Sequence, residues 1–461
     1  MSTRVTKKVL MAFALGVVLQ SVVLAAEEPS SIAISFVESS RSSDSIPPVT
    51  AVGLRWNADE QPAAPKACDI LILFDTSASQ AGLFRSDAER ILSGILNNSR
   101  PQDRFHVVAA DVSCSPLGNN FVTANETMLQ STLLAIEERT PLGTTDLPGI
   151  IAEASGLFDD SPRPRSIIYV GDGPGVTGIE AHILYEVTEL LRTRRITFSA
   201  VGVGPRVNWQ ALAALANATG GMLLVPDSSD AMKQAGHDIG HLAIQSVWWP
   251  ENTVFSNVKE PISLLTLPTR MPPLRADRDS IVLVEDALEG ATIDLTLVPS
   301  ETLPADEHNG LSPIQPTRVA VPRSVPLPEN TYLEELVRNA ASTGGVFLPL
   351  LGKEGLDIAK SVIRGEASSL ADLSKQAESA GAHGSAFRLA TAALRRDPDN
   401  VDASLVRSVA VARLQDPFAD DAAPSSDNNP AFQEGPGAGL DGNDDFADLE
   451  AMRKVRSQAL Q

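Results

Sequence analysis

An apolar run that ends in alternating polar side chains constrains this chain more than any other feature. Residues 70–74 are all apolar, as in a strand buried on both faces at the centre of a parallel sheet. The run passes directly into Asp75, Ser77 and Ser79. Their carboxylate and hydroxyls are hard oxygen donors, which suit Mg²⁺ or Ca²⁺ better than zinc. Taken alone, the same residues also fit a Ser- and Thr-rich turn after an ordinary strand.

Residues 68–245 alternate regularly between apolar strands and amphipathic helices. This alternation predicts an α/β fold, with a doubly wound, mostly parallel sheet and helices on both faces. In such a sheet the ligand site lies at the C-terminal ends of the strands. Thr145 lies in the turn before a helix predicted at 146–157, and Asp172 follows a strand predicted at 166–170. We therefore expect their oxygens to meet those that follow the first strand.

Taken together, the polar turns resemble the metal-ion-dependent adhesion site of von Willebrand factor A domains, and the resemblance covers residues 68–245. The residues that carry it are Asp75-x-Ser77-x-Ser79, Gly143-Thr144-Thr145-Asp146-Leu147 and Gly171-Asp172-Gly173, in this order. Several turns in the right order are far more specific than the first motif alone. Thr145, which directly precedes the acid, matches the pattern better than Thr144. Gly171 stands where the family often has threonine, so we expect one hydrogen bond to be missing.

The resemblance implies a role for each of these side chains. Ser77 and Ser79 would bind Mg²⁺, or else Mn²⁺ or Ca²⁺, directly through their hydroxyls. Thr145 would bind the metal directly or through water, whereas Asp75 and Asp172 would act through bound waters. A carboxylate from a partner protein would complete the coordination. With few carboxylates of its own around a metal that keeps several waters, such a site is suited to binding an external acid.

The N-terminus predicts export. Arg4, Lys7 and Lys8 precede an apolar stretch at 9–24, so residues 1–26 fit a cleaved secretory signal. The stretch is long enough that an uncleaved membrane anchor is the alternative. Because no second segment has the length to span a bilayer, we expect the mature protein to be secreted, periplasmic or part of the cell envelope.

The formal charge of −21 argues against binding to nucleic acid or to an anionic membrane surface, because both require clustered Lys and Arg. Much of this charge lies in residues 416–450, which hold many acids, no bases and few large apolar groups. This composition predicts a disordered acidic tail. A short helix is predicted after it, at 451–461.

A second group of strands flanks the α/β domain in the sequence. Residues 30–58 and 246–300, with one strand at 262–267, are expected to form a small antiparallel β-sandwich. The proline-rich segment 301–328 is predicted to be a linker.

The C-terminal part is predicted to be helical. Residues 329–415 carry helical patterns, with separate helices expected at 354–364 and 368–381. The junction around Pro398 weakly resembles the turn between tetratricopeptide helices. An ordinary helical bundle fits equally well, because fewer repeats are visible than such arrays need.

The two cysteines are too few for a disulfide framework. Cys68 lies at the start of the first strand, and Cys114 lies just beyond a strand predicted at 105–111, which has a short partner predicted at 121–123. If the two long strands run parallel, the thiols lie at opposite edges of the sheet, whereas a disulfide needs Cα atoms within about 7 Å. We expect both thiols to be free.

These features favour a secreted or envelope-associated, metal-dependent binding or adhesion module over an enzyme, since no Ser/His/Asp or Cys/His set can be assembled. His106 lies in a strand and is expected to be a core or flanking residue. Asp111 is expected either to support the site or to be a solvent-facing turn acid. The alternative function is a structural or assembly scaffold, whose helical region recruits partners and whose metal site is secondary.

Overall fold

The computed structural model describes residues 32–40, 48–57, 67–174, 178–258, 271–285, 287–300, 314–341 and 351–415. The signal predicted at 1–26, the strand at 262–267, the acidic tail at 416–450 and the helix at 451–461 lie outside these ranges. Residues 1–411 form one compact unit and 412–461 a second, of which the end of one helix is described. Within the described ranges, no helix is both long and apolar enough to cross a membrane.

The described chain begins with two antiparallel strands, β1 (Ile32–Ser39) and β2 (Val49–Trp56), and then enters a separate sheet. Its strands are β3 (Asp69–Asp75), β4 (Arg104–Ala110), β5 (Cys114–Pro116), β6 (Arg165–Gly171), β7 (Ile196–Gly202) and β8 (Leu223–Leu224). Their spatial order is β5-β4-β3-β6-β7-β8. All neighbours are parallel except β4 and β5. The predicted mostly parallel sheet is therefore confirmed.

Helices cover both faces of this sheet. They are α1 (Leu83–Asn97), α2 (Glu126–Glu137), α3 (Leu147–Ser155), α4 (Ala181–Thr193), α5 (Trp209–Thr219) and α6 (Met232–Ala243). Leu71 and Leu73 of β3 pack with α3, α4 and α5, whereas Ile70, Ile72 and Phe74 pack with α1, α2 and α6. A central strand covered on both faces needs an apolar side chain at every position, which explains the continuous apolar run.

The edge of the sheet beyond β4 differs from the prediction. The edge strand is β5, and the strand expected at 121–123 is reduced to one bridge between Phe105 and Val122. β5 is short and polar, so it carries no alternating apolar signal. Cys114 in β5 pairs with Ala110 at the end of β4, whereas Cys68 lies before β3, and both cysteines are free, as predicted.

After α6 the chain returns to β1 and β2 and completes a two-sheet β-sandwich. The added strands are β9 (Trp248–Val258), β10 (Ser280–Glu285), β11 (Ala287–Pro299) and β12 (Ile314–Ala320). β10 pairs with β2, and β11 lies between β9 and β12. The sheets share one apolar core, in which Trp56 stacks on Trp248 with ring centroids 4.2 Å apart. The predicted β-sandwich is confirmed.

β12 lies inside the segment 301–328, which the sequence predicts to be a linker, so that prediction is wrong for 314–320. Val319 pairs with Ile293 of β11 and is buried in the sandwich core. Pro316, which favours a linker in the sequence, is tolerated because β12 is an edge strand.

The C-terminal region is helical, as predicted. It contains α7 (Tyr332–Ala341), α8 (Gly352–Ser379), α9 (His383–Arg396) and α10 (Val401–Gln415). The two helices expected at 354–364 and 368–381 are one helix, because buried Ile363, Ala367 and Leu370 continue the apolar face across Gly365. The tetratricopeptide resemblance stays a prediction.

Candidate metal centre

The carboxylate of Asp75, the last residue of β3, lies at the centre of the candidate site. It is fully buried, and its Oδ1 accepts a hydrogen bond of 2.8 Å from the backbone N–H of Ser77. Ser77 precedes a single 3-10 turn that carries Ser79 at a partly exposed position. β3 therefore ends in a tight loop whose hydroxyls stand beside a buried carboxylate.

Two hydroxyls from elsewhere in the domain hold the second oxygen of Asp75. Thr145 Oγ1 donates to Asp75 Oδ2 over 2.9 Å, and the hydroxyl of Tyr169 donates to the same oxygen over 2.5 Å. Thr145 is buried and Thr144 is exposed, so Thr145 is the threonine that faces Asp75. Burial holds the pKa of Tyr169 well above its ordinary value, so its hydroxyl keeps the proton that it donates.

A chain of hydroxyls links this loop to Asp172, which directly follows β6. Ser77 Oγ lies 3.0 Å from Ser79 Oγ, and Ser79 Oγ donates to Asp172 Oδ1 over 2.9 Å. Because the one hydroxyl proton of Ser79 goes to the carboxylate, Ser77 must be the donor between the two serines. The oxygens of Ser77 and Thr145, each of which donates its proton within the network, keep lone pairs for another partner.

Neither Asp75 nor Asp172 forms a salt bridge in the described part of the chain, although Arg85 lies near enough to interact with the charge of Asp75. Burial raises the pKa of both carboxyls above the ordinary value, because a charge removed from water is disfavoured. A divalent cation would offset this cost, and a donor set made only of oxygens fits Mg²⁺, Mn²⁺ or Ca²⁺. The described residues contain no cluster of three His, Cys, Asp or Glu suited to a metal, so hydroxyls would have to supply direct contacts.

Asp111, at the end of β4, supports the site from outside this network. Its carboxylate accepts hydrogen bonds from Thr76 Oγ1 over 2.9 Å and from Arg139 over 3.1 Å. Its backbone oxygen accepts from the N–H of Asp146, the neighbour of Thr145. Asp111 therefore ties the loop after β3 to the turn that carries Thr145, and the alternative of a solvent-facing acid is excluded.

The structure thus brings all the predicted site residues into one hydrogen-bonded network; they are Asp75, Ser77, Ser79, Thr145 and Asp172. His106 lies apart from the network, where its Nε2 is 3.1 Å from the backbone oxygen of Gly118. Tyr169 belongs to the network although the sequence did not predict it. The available signal was a tyrosine directly after two isoleucines in a buried strand, three residues before Asp172.

Comparison with known proteins found one matching family and several solved structures of low sequence identity. Residues 68–224 match the von Willebrand factor type A domain family. A von Willebrand factor type A protein from Catenulispora acidiphila is 14% identical, with a TM-score of 0.41 over 83% of this chain and 96% of that one. The ArnB paralog VWA2 from Sulfolobus acidocaldarius is 14% identical, with a TM-score of 0.38 over 83% and 98%. The manganese-loaded TRAP protein of Plasmodium vivax is 17% identical, with a TM-score of 0.31 over 37% and 72%.

The parallel order of β3 and β6 accounts for the position of the network. The loops after β3 and β6 leave neighbouring parallel strands at the same edge, so their side chains converge although Asp75 and Asp172 lie far apart in the sequence.

Proposed function

We propose that residues 68–245 form a metal-dependent protein-binding module of an exported protein. Ser77, Ser79 and Thr145 would hold Mg²⁺, or Mn²⁺ or Ca²⁺, and Asp75 and Asp172 would hold its waters. The observation that carries this proposal is the network of these side chains around two carboxylates that form no salt bridge within the described part of the chain. A bound metal would supply an electrophilic position for a carboxylate of a partner protein.

The exposure of the site supports binding rather than chemistry on a small substrate. Asp75 is buried, but Ser79 and Asp172 are partly exposed, and Ala78 and Thr144 beside them are exposed. A carboxylate on the surface of another protein can therefore reach the loops. The TRAP protein of Plasmodium vivax, which is similar in fold, is described as manganese-loaded, and this favours a divalent metal here.

A scaffold function is the second candidate, and one observation favours it. Ile358 and Val362 of α8 and Leu405 of α10 are exposed apolar side chains on helices, where a partner could pack. The two functions differ in their response to a chelator: capture of a partner from the cell-envelope fraction through the metal site requires Mg²⁺, whereas capture through the helices continues in its absence.

The metal site is tested by thermal unfolding of the full chain with and without Mn²⁺ or Mg²⁺. A metal that binds only the folded state at about 100 times its Kd adds about 2.7 kcal/mol to the free energy of unfolding. We expect wild type to gain this stability and Ser79→Ala to lose most of the gain, because the Ser79 hydroxyl would bind the metal and also donates to Asp172.

Ser131→Ala is the matched control for this measurement. Ser131 is an exposed serine whose hydroxyl donates within α2 to the backbone oxygen of Met128, so this variant should respond to metal as wild type does. A wild-type melting temperature that does not move in millimolar Mn²⁺ would contradict the proposed metal centre.

A further inference from the structure

Tyr169 connects the two acidic loops of the candidate metal centre from inside the domain core. It is completely buried in β6, and its ring is stacked near that of Phe198 with centroids 6.4 Å apart. Its hydroxyl donates to Asp75 Oδ2 over 2.5 Å and accepts from the backbone N–H of Gly173 over 2.9 Å. One hydroxyl group therefore holds both the carboxylate at the end of β3 and the turn that carries Asp172.

Gly171 leaves the space in which this hydroxyl lies. Residues 169 and 171 are two apart in a strand, so their side chains lie on the same face. A Cβ built on Gly171 would lie 2.5 Å from the hydroxyl oxygen of Tyr169 and 2.5 Å from the Cβ of Asp75. Real Cβ atoms do not approach so closely, and a side chain at position 171 is incompatible with the observed position of the Tyr169 hydroxyl.

We propose that Tyr169 is a positioning residue of the metal centre, whose hydroxyl replaces the one that Gly171 lacks and fixes the Asp75 carboxylate for its role toward the metal. This inference rests on the proposed function. Gly171 led us to expect that one hydrogen bond would be missing. Tyr169, two residues earlier on the same face of β6, supplies a hydrogen bond to Asp75 through its longer side chain.

The distribution of hydrogen bonds on Asp75 shows what this arrangement achieves. Oδ2 accepts from both Tyr169 and Thr145, whereas Oδ1 accepts from the backbone N–H of Ser77. The hydroxyl of Ser77 also interacts with this carboxylate. A carboxylate has about four lone-pair positions, and Tyr169 and Thr145 fill the two on Oδ2. Tyr169 thus fixes the orientation of the carboxylate so that Oδ1 faces the Ser77 loop, where the proposed metal and its waters would lie.

Tyr169→Phe tests this role, because it keeps the buried ring and removes the hydroxyl. We expect the Kd for Mn²⁺, measured by calorimetry on the full chain, to rise about 10- to 100-fold, as is usual when a group that orients a metal ligand is lost. Tyr332→Phe is the matched control: Tyr332 is buried in a separate apolar cluster between β2, β10 and α7, and its hydroxyl donates to Glu38 over 2.9 Å. That variant should keep the wild-type Kd even if it unfolds at a lower temperature.

The outcomes separate this inference from the proposed function. If wild type binds Mn²⁺ and Tyr169→Phe binds it with the same Kd, Tyr169 has only a structural role, and the metal centre stands without it. If Tyr169→Phe and Tyr332→Phe raised the Kd for Mn²⁺ equally, the cause would be a general loss of stability, and the inference would also be overturned. If wild type itself binds neither Mn²⁺ nor Mg²⁺, the metal centre is wrong and this inference is lost with it.

Discussion

Replacing Gly94 by leucine should lower the free energy of unfolding by about 3 kcal/mol, the upper end of the usual cost of overpacking a core. Gly94 lies in α1 where this helix crosses α6, and a Cβ built on it would collide with the backbone oxygen of Lys233 and lie 3.1 Å from the Cα of Gly236. A Cβ on Gly236 would likewise collide with the backbone oxygen of Ile91. The helices touch backbone to backbone, so no side chain can move aside.

The same substitution at Gly365 is the control. Gly365 is exposed in α8, and a Cβ there meets nothing within 4 Å. Leucine at this position should stabilise the protein by about 1 kcal/mol through helix propensity. Chemical unfolding of both variants measures the difference. Equal stability of Gly94→Leu and wild type would show that α1 and α6 do not cross at these glycines.

Asp75→Asn should abolish the response to metal while leaving the metal-free protein at least as stable as wild type. The variant loses the carboxylate that would hold a metal-bound water, and with it the gain of about 2.7 kcal/mol expected for wild type at a metal concentration of about 100 times its Kd. In the metal-free state, however, the wild-type carboxylate is buried without a salt bridge to any described residue, and burial disfavours its charged form, so removing the charge relieves a cost.

Asp69→Asn, at the other end of β3, is the matched control and should behave in the opposite way. Asp69 is also buried, but its carboxylate forms salt bridges with Arg104 at 2.6 Å and Arg163 at 2.8 Å. Removing one partner of a buried ion pair costs about 3 to 5 kcal/mol, whereas the Kd for Mn²⁺ should not change. Unfolding curves of both variants, recorded once with Mn²⁺ and once with a chelator, measure these differences. If Asp75→Asn were as unstable as Asp69→Asn, the Asp75 carboxylate would have a structural role, and the prediction would be wrong.

The sequence predicted the central part of the molecule well because local chemistry determines it. An apolar run buried on both faces must be a central strand, and parallel neighbours place Asp75 and Asp172 at one edge. The same reasoning failed for β5 and β12, whose pairing depends on a neighbouring strand rather than on their own pattern. Pro316 favours a linker in the sequence, but β12 tolerates this proline because it is an edge strand.

Tyr169 shows a different limit of sequence reasoning. Its ring belongs to the core, as the strand pattern predicts, but the reach of its hydroxyl depends on the approach of β6 to β3 and on the absence of a side chain at Gly171. The spacing of residues in the sequence does not predict the distance between the Tyr169 hydroxyl and the Asp75 carboxylate. Gly171 therefore predicted a missing hydrogen bond, whereas the structure supplies one.

The insertion of the α/β domain between β2 and β9 determines how mechanical tension would pass through the protein. The domain is entered after Trp56 and left before Trp248, and these two rings are stacked. The chain enters β3 at Asp69 and reaches the candidate site at Asp75, about 20 Å further at 3.3 Å per residue. A partner pulled away from that site would load β3 along its length, in shear against the hydrogen bonds to β4 and β6 on either side. The strand that positions the candidate site would then also transmit the pull to the sandwich.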